Sequence, residues 1–402
     1  MRLGDIIEIK HGYAFSGENI IEEDNNVVLV TPGNFRIGGG FQEKKCKFFD
    51  GEIPQDYVLK AGDFIVTMTD LSKNIDTLGY SAWVPKSEKR IYLHNQRIGL
   101  VSLKNNKCDR GYIYWLMRTH AYQRTIANTS TGATVHHTSP SKIYEYECEV
   151  PDISIQHRIA TILSRYDSLI ENYQKQIKLL EEAAQRLYKE WFVDLHFPGH
   201  ENTKIIDGVP EGWEKKKVRE IGKVITGKTP STSKKEYYGG QIPFITIPDM
   251  HTGIYPTSSQ FLSDLGANSQ SGKFIPANSL MVSCIGTAGL VCITKEECQT
   301  NQQINSLVLN DNSLLYYMYN TFLSLKEHLN NIGSNGATMT NVNKSKFESI
   351  EILIPNNSIS NLYNKAVEQS FRGIKTLSSQ IRLLTEARDR LLPKLMSGEI
   401  AV

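Results

Sequence analysis

The feature that most constrains this chain is an internal repeat at an offset of 204 residues. Residues 177–187 match residues 381–391 at seven of eleven positions. The same offset, without a gap, pairs further identical residues: Ser130 with Ser334, Thr134 with Thr338, Lys142 with Lys346 and Pro151 with Pro355. Such a repeat means that one structural unit occurs twice. We therefore predict two similar globular modules, each followed by a long helix.

The first long helix is predicted over residues 152–197 from a stripe of apolar residues spaced three and four apart. The stripe consists of Ile155, Ile159, Ile162, Tyr166, Leu169, Tyr173, Ile177, Leu180, Ala184, Leu187 and Trp191. One four-residue stutter lies between Tyr173 and Ile177, and the other faces are charged or amidated. A helix of this kind needs a partner for its apolar stripe.

The second helix is predicted over residues 356–402, with Asn356 or Ser358 as its first cap. Its stripe contains Ile359, Ala366, Leu377, Ile381, Leu384, Leu391 and Leu395. Gly373 favours closer or weaker packing, and Pro393 is expected to kink or stop the helix. Two helices of roughly 55–60 Å are expected to pair antiparallel as a coiled coil and to hold the modules at opposite ends.

The modules are predicted to span residues 1–151 and 214–355, with a polar linker at 198–213. Short β-branched segments bounded by Gly and Pro indicate strands, including a closing strand at 144–151. Residues 111–128 and 314–329 have helical spacing. The predicted fold class is α+β, with the two modules separated by the two long antiparallel helices.

Composition excludes several classes of function. The net charge is only +2, so any nucleic-acid surface must be local. Six scattered cysteines without a CxxC pair are typical of reduced thiols in a cytoplasmic protein, and no apolar run approaches the roughly 18 residues of a membrane span. Phosphate-loop, GxSxG, HExxH and amino-methyltransferase motifs are absent. The histidine pairs lack further metal ligands, so we expect no catalytic or metal site.

A basic segment opens the second module. Residues 214–235 contain eight lysines and arginines against two glutamates. Cations and short hydroxyls together suit phosphate contacts; the candidates are Lys228, Thr229, Ser231, Lys234 and Lys235. The alternative is an ordinary solvated surface.

Matching amide-rich triplets occur in both modules, at Asn95-Gln96-Arg97 and Asn301-Gln302-Gln303. Gln and Arg can form paired hydrogen bonds with adenine and guanine in the major groove. The candidates for DNA contact are Gln96, Arg97, Gln302 and Gln303, and among them we assign a base-reading role to Arg97 and Gln303. The alternative is that these amides satisfy backbone groups at a strand end, and we assign this role to the shared asparagine.

Two further loops contain glycine and hydroxyl or amide residues. Their candidates for DNA contact are Ser130, Thr131 and Thr134 in the first module, and Ser334, Asn335 and Thr338 in the second. The alternative is a tight turn capped by its own side chains.

Several segments together resemble the specificity subunit of type I restriction–modification enzymes. They are GKTPS at 227–231, YYGGQIPFI after it, PEGW before the second module, SNGAT followed by NKSK, and the ending LLTEARDRLLPKLMSGEI. HGYAFSG at 11–17 stands where the second module has GKTPS. The resemblance covers essentially the whole chain.

The resemblance implies a non-catalytic subunit that reads double-stranded DNA. Each module would read one half of a bipartite site, and the different modules imply an asymmetric site. The helices would act as a ruler and as a docking surface for two methyltransferase subunits, with helicase-nuclease restriction subunits joining them. S-adenosylmethionine, ATP and Mg²⁺ would be bound by those partners and not by this chain. The alternative function is an interaction protein with two ligand-binding modules and no DNA role.

Overall fold

The computed structural model describes residues 1–44, 46–334 and 340–402. The chain divides into a first unit, Met1–Ile170 with Leu383–Val402, and a second unit, Glu171–Arg382. The division falls inside both long helices. Each unit is therefore one module together with parts of both helices.

The first module contains a four-stranded antiparallel sheet. The module's strands are β1 (Ile7–His11), β2 (Ile20–Ile21), β3 (Val27–Val30), β4 (Lys47–Phe49), β5 (Val58–Leu59), β6 (Phe64–Thr67), β7 (Thr69–Asp70), β8 (Ser81–Trp83), β9 (Ile91–His94), β10 (Ile98–Leu103) and β11 (His136–His137). The antiparallel sheet has the order β1-β10-β6-β8. A second sheet has the order β2-β4-β3-β9-β5, with β3 and β9 parallel, and β7 pairs with β11.

The second module repeats this plan. The strands of the second unit are β12 (Ile205–Ile206), β13 (Val209–Pro210), β14 (Glu214–Lys217), β15 (Gly222–Thr226), β16 (Tyr238–Ile245), β17 (Gln260–Leu262), β18 (Leu280–Ser283), β19 (Val291–Ile293), β20 (Gln299–Thr300), β21 (Ile304–Leu309) and β22 (Glu351–Ile354). The antiparallel sheet has the order β15-β21-β18-β19, and a second sheet, β17-β16-β20, has β16 and β20 parallel. The predicted duplication is therefore present in the strand order.

The predicted helices within the modules are each broken in two. The helices of the chain are α1 (Arg110–Leu116), α2 (His120–Asn128), α3 (Pro140–Tyr144), α4 (Ile153–Tyr188), α5 (Val218–Ile221), α6 (Ile247–Met250), α7 (Asp264–Asn268), α8 (Leu315–Ser324), α9 (Lys326–Ser334), α10 (Lys344–Glu348) and α11 (Asn357–Met396). Helix α2 restarts because Thr119 Oγ1 accepts the Tyr122 N–H at 3.2 Å and caps it.

In the first unit, the start of α4 packs into the module core. Ile159 and Leu163 lie in one cluster with Trp115, and Leu392 and Leu395 of α11 belong to the same cluster. Burying one large apolar side chain contributes about 1.5–3 kcal/mol. The module and both helices of this unit therefore share one core.

In the second unit, α4 and α11 run antiparallel. The Tyr363 hydroxyl donates to Ala184 O at 3.2 Å. A Cβ placed on Gly373 would lie 3.2 Å from Leu180 Cδ1, so the two helices approach closely there. The later residue of α4, Ala184, thus meets the earlier residue of α11, Tyr363, as the antiparallel prediction requires.

The predicted apolar stripes are wrong at two positions. Leu169 is 42% exposed, whereas Ile170 is buried. Ala366 is exposed, and its neighbours Tyr363 and Val367 are buried. Each helix packs against a module core as well as against its partner helix. Its buried face is therefore broader than the contact between two helices alone, and it is rotated relative to the predicted stripe.

The ends of the long helices also differ from prediction. Helix α4 is followed by a π-helical turn, Lys189–Val193, and the helical path ends there, four residues before 197. Leu195 has φ +60, which helical backbone excludes. Helix α11 does not stop at Pro393 and runs on to Met396. Asn356 Oδ1 accepts the Ile359 N–H at 3.0 Å and caps the start of α11, as predicted.

The predicted closing strand at 144–151 is wrong for the first module. Tyr144 ends α3, and only Glu147 forms an isolated bridge, with Arg2. In the second module the equivalent segment is β22, which pairs with all four residues of β14. A strand needs a partner of similar length, and in the first module only Met1–Leu3 lie alongside.

Candidate nucleic-acid interface

In each module, a glycine directly follows the first strand of the antiparallel sheet. At this glycine the chain passes very close to the backbone of a turn that is distant in sequence. Gly12 follows β1 and Gly227 follows β15. A Cβ at Gly12 would overlap the backbone of Asn95, and a Cβ at Gly227 would overlap the backbone of Asn301. Only glycine permits this approach, so both crossings depend on it.

The residue after each glycine is held by an equivalent backbone bond. Tyr13 N donates to His94 O at 2.8 Å, and Lys228 N donates to Thr300 O at 2.9 Å. Tyr13 and Lys228 thus occupy equivalent places in the two modules. The HGYAF and GKTPS segments are structural counterparts with different exposed chemistry.

The shared asparagines shape the turn beneath this crossing. Asn95 Oδ1 accepts the Arg97 N–H at 3.1 Å, and Asn301 Oδ1 accepts the Gln303 N–H at 3.1 Å. Both asparagines are buried, whereas Gln96, the middle residue of its turn, is exposed. The asparagines therefore hold the turn, and in the first module the following two residues, Gln96 and Arg97, carry its outward chemistry.

A third segment of each module is linked to the turn through one intermediate residue, which forms backbone hydrogen bonds with both. Met68 N donates to Arg97 O at 2.9 Å, and Thr138 N donates to Met68 O at 3.0 Å. In the second module, Cys284 N donates to Gln303 O at 2.8 Å, and Val342 N donates to Cys284 O at 2.9 Å. We call these groups the three-segment edges: residues 12–15, 95–97 and 130–138 in the first module, and 227–231, 301–303, 334 and 340–342 in the second.

The second-module edge brings together two of the predicted sets. Thr229 Oγ1 donates to Gln302 Oε1 at 2.6 Å, which joins the basic segment to the amide triplet. Gln303 is more enclosed than Gln302. Its Oε1 accepts from Asn301 Nδ2 at 3.0 Å, and its Nε2 donates to Ile285 O at 3.4 Å. Its side chain therefore contributes to holding the turn, which its sequence position alone did not indicate.

The remaining basic candidates of this segment are exposed. Lys228 and Lys235 form no ion pair with any residue in the described part of the chain. Lys234 Nζ donates to the Tyr237 hydroxyl at 3.0 Å, and this hydrogen bond raises the pKa of Lys234. Ser231 Oγ lies 2.8 Å from Ser233 Oγ. The segment presents cations and hydroxyls to solvent.

The first-module edge presents a different set. Gln96 and Arg97 are exposed, and within the described residues no side chain pairs with the Arg97 guanidinium. Tyr13 is 44% exposed, and its ring lies 5.1 Å from Phe15 and 5.3 Å from Tyr57. An arginine and an aromatic face thus stand where the second module has a lysine and amides.

The serines of the predicted loops have structural roles in the fold. Ser130 Oγ donates to Ala127 O at 2.7 Å, and Ser334 Oγ donates to Asn330 O at 2.6 Å. Each closes the end of the preceding helix. Asn335 and Thr338 lie outside the described residues.

Thr131 and Thr134 lie in an exposed hairpin loop. Thr131 and His137 exchange two backbone hydrogen bonds, at 3.0 and 2.8 Å. Gly132, within the loop that they close, has φ +104. Thr134 is exposed near the tip of this loop. This loop therefore belongs to the same edge as Arg97.

The edges offer cations, amides and hydroxyls, and this chemistry suits phosphates and base edges. Over residues 1–44, 46–334 and 340–402, no group of three or more His, Cys, Asp or Glu could hold a metal ion. In the same part of the chain no helix is long and apolar enough to cross a membrane.

A family model described as the type I restriction modification DNA specificity domain matches this chain twice, over residues 1–182 and 210–391. The chain belongs to the type I restriction–modification DNA specificity family. The two matches coincide with the two structural repeats and include most of both long helices. The resemblance inferred from the sequence motifs is confirmed.

Two curated specificity subunits illustrate the relationship. The chain is 34% identical over 349 residues to the type I restriction enzyme HindI specificity subunit of Haemophilus influenzae, covering 70% of this chain and 75% of that subunit. It is 30% identical over 301 residues to the MjaIX specificity subunit of Methanocaldococcus jannaschii, covering 72% and 69%.

A solved structure shares the fold of this family member. The crystal structure of the type I restriction–modification system S subunit from M. genitalium aligns with a TM-score of 0.62 at 15% identity. The alignment covers 98% of this chain and 95% of that one. The α+β tandem architecture is therefore that of a known specificity subunit.

The sequence analysis did not single out Tyr13 as a candidate residue of this edge. Its position one place after Gly12 was the available signal, because Lys228 follows Gly227 in the same way. Lys10 lies beside this aromatic group, with Nζ 4.9 Å from the Tyr57 ring centroid. This specificity-family module thus adds aromatic and cationic surface to the predicted Arg97.

Proposed function

We propose that this chain is the DNA-reading specificity subunit of a type I restriction–modification complex. One observation carries the proposal: each module builds the same three-segment edge on the same strand order, but with different exposed side chains. A common scaffold with different outward residues suits two readers of different half-sites, and hence an asymmetric bipartite site. The chain itself would be non-catalytic.

The test is selection from a library of randomised double-stranded DNA by the full chain co-purified with its methyltransferase subunits. We expect two short enriched blocks separated by a fixed gap, with affinity falling steeply as salt rises. No enriched block, or binding indifferent to salt, would overturn the proposal and favour the DNA-independent interaction protein.

Lys228 provides a sharper version of this test. Lys228→Ala removes an exposed cation from the second-module edge, so affinity should fall on all duplexes and the salt slope should shrink by about 1. The matched control is Lys223→Ala, because Lys223 is an exposed lysine near the opposite end of β15. The control should bind as the unchanged protein does.

The proposal includes two methyltransferase subunits as partners. Leu179 is 64% exposed and Leu383, its counterpart at the repeat offset, is 54% exposed. Exposed leucines have no packing reason to match between the two repeats, so this shared pair fits two copies of one partner.

Leu179→Glu and Leu383→Glu should each remove one methyltransferase subunit from the purified complex. The mass of the complex measured by light scattering gives the count. Leu169→Glu is the control, because Leu169 is also exposed on α4 but Gly373 stands at its repeat position. Equal subunit numbers in all three variants would reject this surface.

Two further parts of the proposal concern the assembly. Restriction subunits would join this core, and S-adenosylmethionine, ATP and Mg²⁺ would be bound by the partner subunits. The helices would set the gap between the half-sites. Inserting four residues after Tyr173 and four after Leu377 should lengthen the selected gap, and an unchanged gap would refute the ruler.

A further inference from the structure

One loop of the first module has no counterpart of similar length in the second. Residues 68–80 connect β6 to β8, whereas the shorter segment 284–290 connects β18 to β19. These two pairs of strands are equivalent in the two sheets. The extra residues of the first module therefore form an insertion at a fixed place in a shared scaffold.

The loop is organised by the buried carboxylate of Asp70, which is 1% exposed. Asp70 Oδ1 accepts the Ser72 N–H at 2.6 Å. Asp70 Oδ2 accepts the Thr77 N–H at 2.6 Å, the Thr77 hydroxyl at 2.7 Å and the Leu78 N–H at 3.0 Å. Charge-assisted bonds of this kind are about twice as strong as neutral ones. Both ends of the loop are thereby held on one side chain.

A second contact supports the middle of the loop. Gln123 Nε2, on α2, donates to Ile75 O at 2.6 Å, and Ile75 has φ +55. Ser72 Oγ accepts the Asp76 N–H at 2.9 Å. The backbone of residues 71–77 is therefore preorganised, although most of its side chains do not enter the core.

The register places this loop at the first-module edge. Asp70 pairs with His136 and Thr69 pairs with His137, and Thr69 Oγ1 lies 3.1 Å from His137 Nδ1. Because β7 and β11 are antiparallel, the loop leaves Asp70 toward the Thr134 end of the hairpin. Met68, at the start of the loop, donates its N–H to Arg97 O. The loop thus lies beside two predicted DNA-contact segments.

The outward residues of the loop have the chemistry of DNA contacts. Lys73 and Asn74 are exposed, and Leu71 is 60% exposed. Within the described residues Lys73 forms no ion pair. An asparagine amide can pair with the edge of adenine, and a lysine ammonium with phosphate. In the second module the shorter connection, with Gly286 and Gly289, offers no equivalent pair.

We infer that residues 71–77 are a base-reading loop of the first module, in which Asn74 contacts a base edge and Lys73 contacts the DNA backbone. This inference rests on the proposed function. It assigns part of the difference between the half-sites to one insertion, held in its binding shape by Asp70. Preorganisation of this kind lowers the entropic cost of binding.

The experiment uses the full chain in its complex and the duplex selected by the unchanged protein. Asn74→Ala should weaken binding to that duplex by about 10–100-fold, and repeat selection should relax one position in the first module's half-site only. Lys73→Ala should weaken binding to all duplexes and reduce the salt slope by about 1.

The matched controls are Asn106→Ala and Lys107→Ala, which alter exposed residues in the turn after β10, at the far end of that strand from Arg97. They should leave affinity and selected sequence unchanged. If Asn74→Ala selects the same sequence with unchanged affinity, the loop assignment is wrong. Absence of any selected sequence with the unchanged protein would instead reject the proposed function, so the two failures are distinguishable.

Discussion

Arg118 donates to the carboxylate of Asp167 at 2.7 Å, and this pair ties the first module to helix α4. Arg118 is 5% exposed, and its guanidinium also donates to the Tyr114 hydroxyl at 2.8 Å and to Gly38 O at 2.9 Å. The second carboxylate oxygen of Asp167 accepts from Arg388 of α11. Asp167 therefore joins three elements of the first unit.

Asp167→Ala should lower the free energy of unfolding by about 3–5 kcal/mol, because it leaves a buried guanidinium without its counter-charge. Denaturant unfolding followed by circular dichroism measures this change. Asp389→Ala removes an exposed partner of the same Arg388 and should cost no more than about 1 kcal/mol. Equal losses in the two variants would show that Asp167 has no special role.

Gly227→Ala should disrupt the second-module edge, because the new Cβ meets backbone atoms of Asn301 that cannot move without opening the turn. We expect a loss of about 1–3 kcal/mol in stability and loss of selection at one half-site. Gly17→Ala is the control, since open space surrounds Gly17. A Gly227→Ala protein with unaltered half-site selection would contradict the close crossing.

Arg97→Ala should relax specificity at one position of the half-site read by the first module and weaken binding to the selected duplex by about 5–150-fold. The reason is that Arg97 is exposed on a turn already held by Asn95. Repeat selection and fluorescence anisotropy measure the effect. Arg124→Ala, on the exposed face of α2, should change neither.

His94 should make the first unit less stable as pH falls. Burial lowers the pKa of His94 despite its hydrogen bond to Ile98 O, so the folded protein holds the neutral ring. The unfolded chain takes up a proton below its ordinary pKa of about 6.5. Stability is complete above that pH and declines below it, toward the lower folded pKa.

The check is denaturant unfolding at pH 8 and pH 5.5. His94→Gln should reduce the difference between the two free energies of unfolding, whereas His120→Gln, at an exposed position, should leave it in place. The same pH dependence in the His94→Gln protein would rule out His94 as its source.

The cysteines should separate into two classes toward alkylating reagents at pH 8. Burial raises the pKa of Cys284, Cys292 and Cys298 to about 12, so their reactive thiolates are scarce and inaccessible. Cys108 is also buried, whereas Cys46 and Cys148 are only partly buried. Mass spectrometry should find the latter two labelled first, and early labelling of Cys292 would contradict the packing of the second module.

Much of this protein could be predicted from its sequence because duplication leaves a direct record. Identical residues at one offset require the same unit twice, and the strand orders β1-β10-β6-β8 and β15-β21-β18-β19 match that prediction. Periodic apolar residues likewise indicated the long helices, and Asn356 indicated the start of α11. The amide triplets could be located, since both copies carry them at corresponding strand ends.

Only the tertiary structure decided which side chains face outward. Arg97 and Gln303 hold equivalent sequence positions, yet Arg97 is exposed, whereas Gln303 is bonded to Asn301 and Ile285. The equivalence of Tyr13 with Lys228 likewise depends on hydrogen bonds to strands far along the chain.

The same reason explains the helix positions that were wrong. Periodicity describes one helix and a single buried stripe, whereas Ala366 is exposed because α11 packs against its module as well as against α4. The sequence alone thus determined the repeated units and their elements. Contacts between distant segments decided which residues those elements bury and which they present, because burial depends on every neighbour at once.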